Sequence, residues 1–361
     1  MASSFSSSDS LYDFVVKDGN GVKGLMDSGL SKVPQRYIQP EEERIKIVGT
    51  RKHNVSPIDL SKLKGPNHKK VVDEIVRSVE TLGFFQVVNH GVPLELLESL
   101  KDSAHKFFSL SAEEKCLFSP GVSPSTKVKY GTSFVPDKEK ALEWKDYISM
   151  GYTNDEDALQ YWPNQCKEVA LDYLKLSSKM VRKIVEILIE NLGVKLEESR
   201  IEGLLGTKLV NMNYYPPCPN PELTVGIGRH SDTGITVLLQ DHIGGLYVKL
   251  DKDDNNNNHG GWFEIPPIPG VLVIIIGDIF QILSNGKYKS VEHRVRTSTE
   301  SRVSIALFNS PKPTEKIGPV EELVKKDGVA YYREVLFQDY INNYFTHAHY
   351  GKNSLDFAKS T

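Results

Sequence analysis

Cysteine is scarce in this chain, with three in 361 residues, at Cys116, Cys166 and Cys218. An odd number at such separations excludes a disulfide framework and predicts buried thiols in a reducing compartment. Basic blocks are missing too. Lys and Arg total 44 against 47 Asp and Glu, a formal charge of −3, which leaves no electrostatic footprint for nucleic acid or an anionic membrane surface. No window approaches the roughly 20 apolar residues of a membrane span. Met1 to Ser10 is Ser-rich and lacks both the basic and the apolar regions of a secretory signal. The expected location is therefore cytoplasmic and the expected partner a small molecule, with no nucleic acid, no membrane, and a monomer as the default.

What is present reads as a folded chain, since 39% hydrophobic and 25% charged residues suffice for a packed core. Residues 1–55 mix Ser, Gly and charge around Phe14-Val15-Val16 and Tyr37-Ile38, and read as an arm. Residues 56–200 read as a helical region. Apolar spacing predicts helices from Lys69 to Leu82, Leu94 to Phe107 and Lys167 to Leu192, with Phe84 to Val88 a buried strand between the first two. Residues 201–312 change grammar. Eight short strands, Leu209 to Tyr215, Val225 to His230, Ile235 to Leu239, Leu246 to Leu250, Trp262 to Ile265, Val271 to Ile276, Lys289 to Val295 and Arg302 to Phe308, are punctuated by Gly, Pro and Asn. Eight strands in so short a span predict a jelly roll whose two sheets enclose a pocket. The Asn-rich run Asp251 to Gly261 reads as a polar loop. Residues 313–361 form a last segment, with a helix around Tyr331 to Tyr344 covering one mouth. The fold class is α+β, mainly β in its core: a double-stranded β-helix (jelly roll) with an N-terminal helical region and a C-terminal helix.

Chemistry concentrates in the strands. In His230-Ser231-Asp232 the period of two places His230 and Asp232 on one face. Alone this is a common hydrogen-bonded pair. His293, in a later strand, supplies a third donor, and two histidines with one carboxylate leave coordination positions open, as non-haem Fe(II) oxygenases require. Arg302 and Ser304 share a face, and a guanidinium fork beside a hydroxyl is a carboxylate receptor. The Arg302 strand is expected to hairpin with the His293 strand. Asn213 and Tyr215 share a face as further donors, and the same alternation adds Asn211 and Phe308, the latter a candidate stacking wall for a flat ring. Asp59 and Asp278 read as strand-end or turn residues.

These segments carry a resemblance. Asn213-Tyr214-Tyr215-Pro216, His230-Ser231-Asp232, Gly244-Gly245-Leu246, Gly277-Asp278, Leu283-Ser284-Asn285-Gly286, His293-Arg294-Val295 and Arg302-Val303-Ser304, in this order, resemble the plant Fe(II)/2-oxoglutarate-dependent dioxygenases. Pro57-Ile58-Asp59-Leu60 and Gly83 to Gly91 resemble that family's N-terminal region. Asn20 to Gly24, Lys129 to Phe134, Leu142 to Tyr147 and Leu223 to Gly226 look like its coumarin-pathway branch.

The resemblance implies Fe(II) on His230, Asp232 and His293, and 2-oxoglutarate on Arg302, Ser304, Tyr215 and Asn213. It also implies O2 as oxidant, ascorbate as reductant, and release of succinate and CO2. Its implied reaction is hydroxylation of an aromatic ring: C8 of the coumarin scopoletin, giving fraxetin, or alternatively the ortho position of a hydroxycinnamoyl-CoA such as feruloyl-CoA. A non-catalytic ligand-binding jelly roll leaves Arg302 and Ser304 without a role. Tyr130, Thr132 and Phe134, in a loop-like segment that faces the pocket in this family, join Asn211 and Phe308 as substrate candidates. The chain is one residue shorter than the family pattern between Asp232 and Leu238, so a bulge or changed register is expected in the strand that follows.

Overall fold

The computed structural model describes residues 8–45, 51–52, 56–251, 261–347 and 349–360. Most of the predicted polar loop from Asp251 to Gly261 lies outside them. The eight predicted strands are all present: β1 (Thr207–Tyr215), β2 (Ile227–His230), β3 (Ile235–Gln240), β4 (Leu246–Leu250), β5 (Gly261–Glu264), β6 (Leu272–Ile276), β7 (His293–Val295) and β8 (Arg302–Ser310). They form two facing sheets. The larger has the order β6-β3-β8-β1, and the smaller β5-β4-β7-β2. The jelly roll expected from the strand grammar is thus the observed core.

The larger sheet is covered on both faces, which explains its nearly continuous apolar strands. Val237 and Leu239 of β3 and Val303, Ile305 and Leu307 of β8 join the main core with helices α1 (His68–Thr81), α2 (Leu94–Phe108) and α3 (Lys167–Asn191). Their alternate neighbours face the smaller sheet, where Leu238 and Ala306 pack with Leu246, Val248 and Ile275. Two added strands, Asp146–Tyr152 and Val128–Thr132, extend the larger sheet beyond β1. The second is a regular strand where the sequence predicts a loop-like segment.

Two expectations are corrected. The strands bearing His293 and Arg302 are not a hairpin: β7 pairs with β2 and β4 in one sheet, while β8 pairs with β1 and β3 in the other. The turn between them crosses from sheet to sheet, tied down by Thr224 Oγ1 to Thr297 Oγ1 at 2.8 Å and Cys218 N–H to Ser298 O at 2.8 Å. The strand after Asp232 is not bulged, since β3 keeps continuous register with both β6 and β8. The irregularity lies instead in the β7–β2 pairing. The three cysteines are free, Cys166 and Cys218 buried and Cys116 only partly so.

The N-terminal segment is built into the fold. Leu11, Val15, Val22, Leu25 and Tyr37 pack with Leu142 and Trp144, and the Tyr37 and Trp144 rings meet edge-on at 5.0 Å. The fully buried Asp146 accepts the Val22 and Lys23 N–H groups at 2.7 and 2.9 Å. This closeness needs glycine at position 21, where φ is +68° and a Cβ would sit 2.5 Å from Asp146 Oδ1. Gly21→Ala should therefore destabilise by roughly 2–3 kcal/mol, a left-handed backbone cost plus a steric one, read as a lower urea midpoint; an unchanged midpoint would mean the segment repacks freely.

Candidate active site

A cavity of about 520 Å³ opens between the sheets, within the roughly 300–1,000 Å³ usual for small-molecule sites. His230 and His293 are direct cross-strand partners at the ends of β2 and β7. Asp232 follows two residues after His230. Its Oδ1 lies 3.6 Å from His230 Nε2 and 3.8 Å from His293 Nε2, and donor atoms of all three lie within 4.8 Å of one another. The remaining polar atoms are engaged elsewhere. His230 Nδ1 meets Gly228 O at 2.9 Å and His293 Nδ1 meets Val291 O at 3.3 Å, which puts each ring proton on Nδ1 and leaves Nε2 free as a ligand. Thr236 Oγ1 donates to Asp232 Oδ2 at 2.6 Å, leaving Oδ1 inward. Burial, then the neighbouring His293 and His349, hold the His230 imidazole well below the ordinary histidine range, in the neutral form that binds metal. Two neutral imidazoles and a carboxylate suit a first-row divalent ion.

The turn carrying these ligands is fixed from behind. Asp278 N–H donates to Asp232 O at 2.8 Å. Gly277 permits that approach, because a Cβ there would lie 2.5 Å from Asp232 O and 2.3 Å from Gly234 O.

Across the cavity, Arg302 is 1% exposed. Its Nη2 donates to Gln240 Oε1 and its Nε to Ile243 O, each at 3.2 Å, and the guanidinium lies over the Tyr215 ring at 4.9 Å. Nη1 has no hydrogen-bond partner among the described residues. A buried guanidinium donor left open toward a cavity is what an anionic ligand completes. Ser304 lies one alternation along β8, with Tyr215 OH 3.4 Å from its Oγ. In register, Arg302 pairs with Tyr215, Ser304 with Asn213 and Ala306 with Asn211, so the predicted donors share one wall. The residues present fit both Fe(II) and a dicarboxylate.

Phe134, Asn211 and Phe308 line the cavity as expected, but Tyr130 and Thr132 do not. Both lie on a true strand, whose alternation turns Lys129 to the cavity and its neighbours away. Tyr130 packs edge-on to Phe107 in the main core, and Thr132 Oγ1 donates to Lys145 O.

The sequence reading missed a polar cluster made by Glu143, Lys145 and His349. Glu143 Oε1 accepts Gly228 N–H at 2.7 Å and His349 Nδ1–H at 2.6 Å. Lys145 Nζ lies 3.2 Å from Glu143 Oε2. Burial, the largest single influence, lowers the Lys145 ammonium, but Glu143, Tyr215 and Tyr147 together outweigh it and the net direction is up, so the cation persists. His349 stacks between Phe134 at 3.7 Å and His230 at 4.3 Å. Tyr344 and Phe345, from helix α4 (Phe337–Tyr344) and the residue after it, complete this wall. Glu143 and Lys145 stood inside the quoted Leu142 to Tyr147 stretch without a role, and nothing local marked His349.

The fold is that of a jelly-roll oxygenase, and its cavity brings two histidines and one carboxylate together with a buried, partly unpaired guanidinium. Residues 206–311 match the family model of the 2OG-Fe(II) oxygenase superfamily and residues 55–169 that of the non-haem dioxygenase in morphine synthesis N-terminal region; the chain belongs to this superfamily. It is accordingly a dioxygenase dependent on Fe(II), 2-oxoglutarate and O2. It is 61% identical to scopoletin 8-hydroxylase of Arabidopsis thaliana over all of both chains. It is 49% identical to a feruloyl CoA ortho-hydroxylase of Ipomoea batatas, covering 96% of each. Among solved structures, JOX2 in complex with 2OG, Fe and JA superimposes with a TM-score of 0.80 at 33% identity, over 94% of this chain and 97% of that one. No helix among the described residues is long and apolar enough to cross a membrane.

The loop beside the cavity makes a pH prediction. Glu139 accepts the Phe134 and Val135 N–H groups at 2.9 and 2.8 Å, and burial, then Glu143, push its carboxyl from 4.5 up to about 7. The folded chain therefore binds this proton more tightly than the unfolded one, so the associated stability is full below about 4.5 and is lost as pH rises through about 7. Thermal unfolding of wild type and Glu139→Gln across that window should show a shallower decline in the variant; parallel curves would assign the pH dependence elsewhere.

Proposed function

We propose that this chain hydroxylates C8 of scopoletin, with its iron on His230 Nε2, Asp232 Oδ1 and His293 Nε2 and its 2-oxoglutarate on Arg302, Ser304, Tyr215 and Asn213. The observation that carries the choice of a free coumarin is the character of the cavity mouth, which supports what the relative at 61% identity suggests. Near the C-terminal helix the cavity is lined by Phe134, Phe337, Ile341, Tyr344 and Phe345, with Gln338 beside them. Among the described residues, the Lys and Arg side chains on the wall are Arg302, assigned to the co-substrate, Lys145, paired with Glu143, and Lys129. A CoA thioester brings several phosphates and calls for a cationic rim. Lys129 on the wall and Lys138, whose Nζ lies on the Phe345 carbonyl at 3.2 Å, are the exposed cations nearby, and Lys145 is too buried to reach a phosphate outside, a poor match for several phosphates.

When bound, Fe(II) and 2-oxoglutarate supply the oxidising power, with loss of CO2 and formation of succinate. The protein's part is placement and exclusion of water. The Nδ1 contacts of the two histidines hold their rings in one tautomer, and Thr236 keeps Asp232 Oδ1 turned inward. Arg302 would offer its open Nη1 and Ser304 its hydroxyl to the far carboxylate of the co-substrate. Phe308, on the same inward face of β8, and Phe134 offer flat apolar surface to the aromatic ring.

The deciding assay offers scopoletin and feruloyl-CoA in parallel to the anaerobically reconstituted enzyme with 2-oxoglutarate and ascorbate, then admits O2 and follows succinate and product mass. Oxygen addition to scopoletin is expected; addition to the thioester alone would move the reaction to the other substrate. His230→Ala and Asp232→Ala should each abolish tight Fe(II) binding and turnover while far-UV circular dichroism stays unchanged, because none of the hydrophobic cores contains these residues. Full activity in either variant refutes the ligand assignment. Arg302→Lys should raise the KM for 2-oxoglutarate about tenfold or more, as a point charge cannot replace the guanidinium fork, and leave the coumarin KM near wild type; equal effects on both would place Arg302 elsewhere.

A further inference from the structure

The best-buried charge on the cavity wall that the metal and co-substrate do not use is Lys145. It precedes the strand Asp146–Tyr152, whose alternation turns Tyr147 and Ser149 to the cavity alongside it. It is 5% exposed, and burying an ammonium costs several kcal/mol unless partners replace its water. Those partners are few. Glu143 Oε2, at 3.2 Å, is close enough for an ion pair but accepts no hydrogen bond of good geometry. The nearest aromatic face is Tyr147, 5.8 Å to its centroid. A lysine ammonium has three protons to donate, so this one retains capacity toward the cavity.

The substrate class offers a match. Scopoletin bears a hydroxyl at C7 beside C8, and a methoxyl on the other flank at C6. Its hydroxyl is conjugated with the lactone carbonyl, which makes it an acidic phenol whose proton passes readily to water. The resulting oxyanion enriches its two ortho carbons, and only C8 carries no substituent.

Resting on the scopoletin reading, we propose that Lys145, steadied by Glu143, binds the C7 oxygen as a phenolate and so presents C8 to the metal. The cavity then has two anion-binding poles. Arg302 takes the carboxylate of the co-substrate, and Lys145 takes the ring oxygen of the substrate.

The test uses the complete Fe(II) and 2-oxoglutarate enzyme under anaerobic conditions, so that nothing turns over. Scopoletin and its C7 methyl ether are titrated by absorbance at a pH below the phenol's own midpoint. Wild type should bind scopoletin with the red-shifted phenolate spectrum, at least about tenfold more tightly than the ether, the worth of one charge-assisted hydrogen bond. Lys145→Met should bind it as the neutral phenol and lose the preference, while Lys145→Arg should retain both. Unaltered 2-oxoglutarate affinity in both variants separates this role from the co-substrate site. A phenolate spectrum that persists in Lys145→Met would overturn the proposal, as would a loss of 2-oxoglutarate affinity equal to the loss of coumarin affinity. Scopoletin hydroxylated by a wild type that binds it neutral leaves the function standing and removes this inference alone. Turnover of feruloyl-CoA alone removes both.

Discussion

One buried carboxylate, Asp278, holds the geometry of the His230, Asp232 and His293 cluster without touching any of their side chains. It is fully enclosed and accepts hydrogen bonds from Ser231 Oγ at 3.1 Å, Ser290 Oγ at 2.6 Å and Tyr340 OH at 2.7 Å. An enclosed carboxylate is costly unless its oxygens are satisfied, and three hydroxyls from three segments do so. Ser231 separates His230 from Asp232, Ser290 lies shortly before His293, and Tyr340 belongs to the C-terminal helix. Tyr344 adds a bond to Ser231 O at 3.1 Å. The two halves of the metal site and the wall above it are thus set by a single group. The arm, the added strands and the aromatic mouth all take position around a centre that is already fixed.

Much of this was legible in the sequence, because strand chemistry is local. Period-two alternation in β8 put Arg302, Ser304 and Phe308 on one face, and the structure turns that face to the cavity and Val303, Ile305 and Leu307 to the core. Spacing within His230-Ser231-Asp232 and the arrival of His293 pointed to three donors that the structure brings within 4.8 Å of one another. Where the reading failed, the missing information was tertiary. Nothing between His293 and Arg302 says that the chain changes sheets at the turn. Lys129 and Tyr130 exchange roles because that stretch is a strand, and one residue of parity decides which faces the cavity.

The Glu143, Lys145 and His349 cluster marks the limit of such reading. Glu143 and His349 meet across 206 residues of chain, and each alone has an ordinary explanation. Their partnership depends on the N-terminal segment, which packs Leu142 and Trp144 and ties down Asp146. The arm that composition suggests therefore positions a wall of the site. Distal packing is converted into the placement of two charges.

The order of synthesis gives the aromatic mouth a further meaning. The metal ligands and Arg302 all precede residue 313, whereas Phe337, Ile341, Tyr344 and Phe345 follow it. On the ribosome, the parts that can gather iron and co-substrate emerge before the wall that shields them. That final stretch docks through Tyr340 on Asp278 and Tyr344 on Ser231. The cavity therefore gains its last wall, and its shelter from water, only once residues 337–345 have been made and seated.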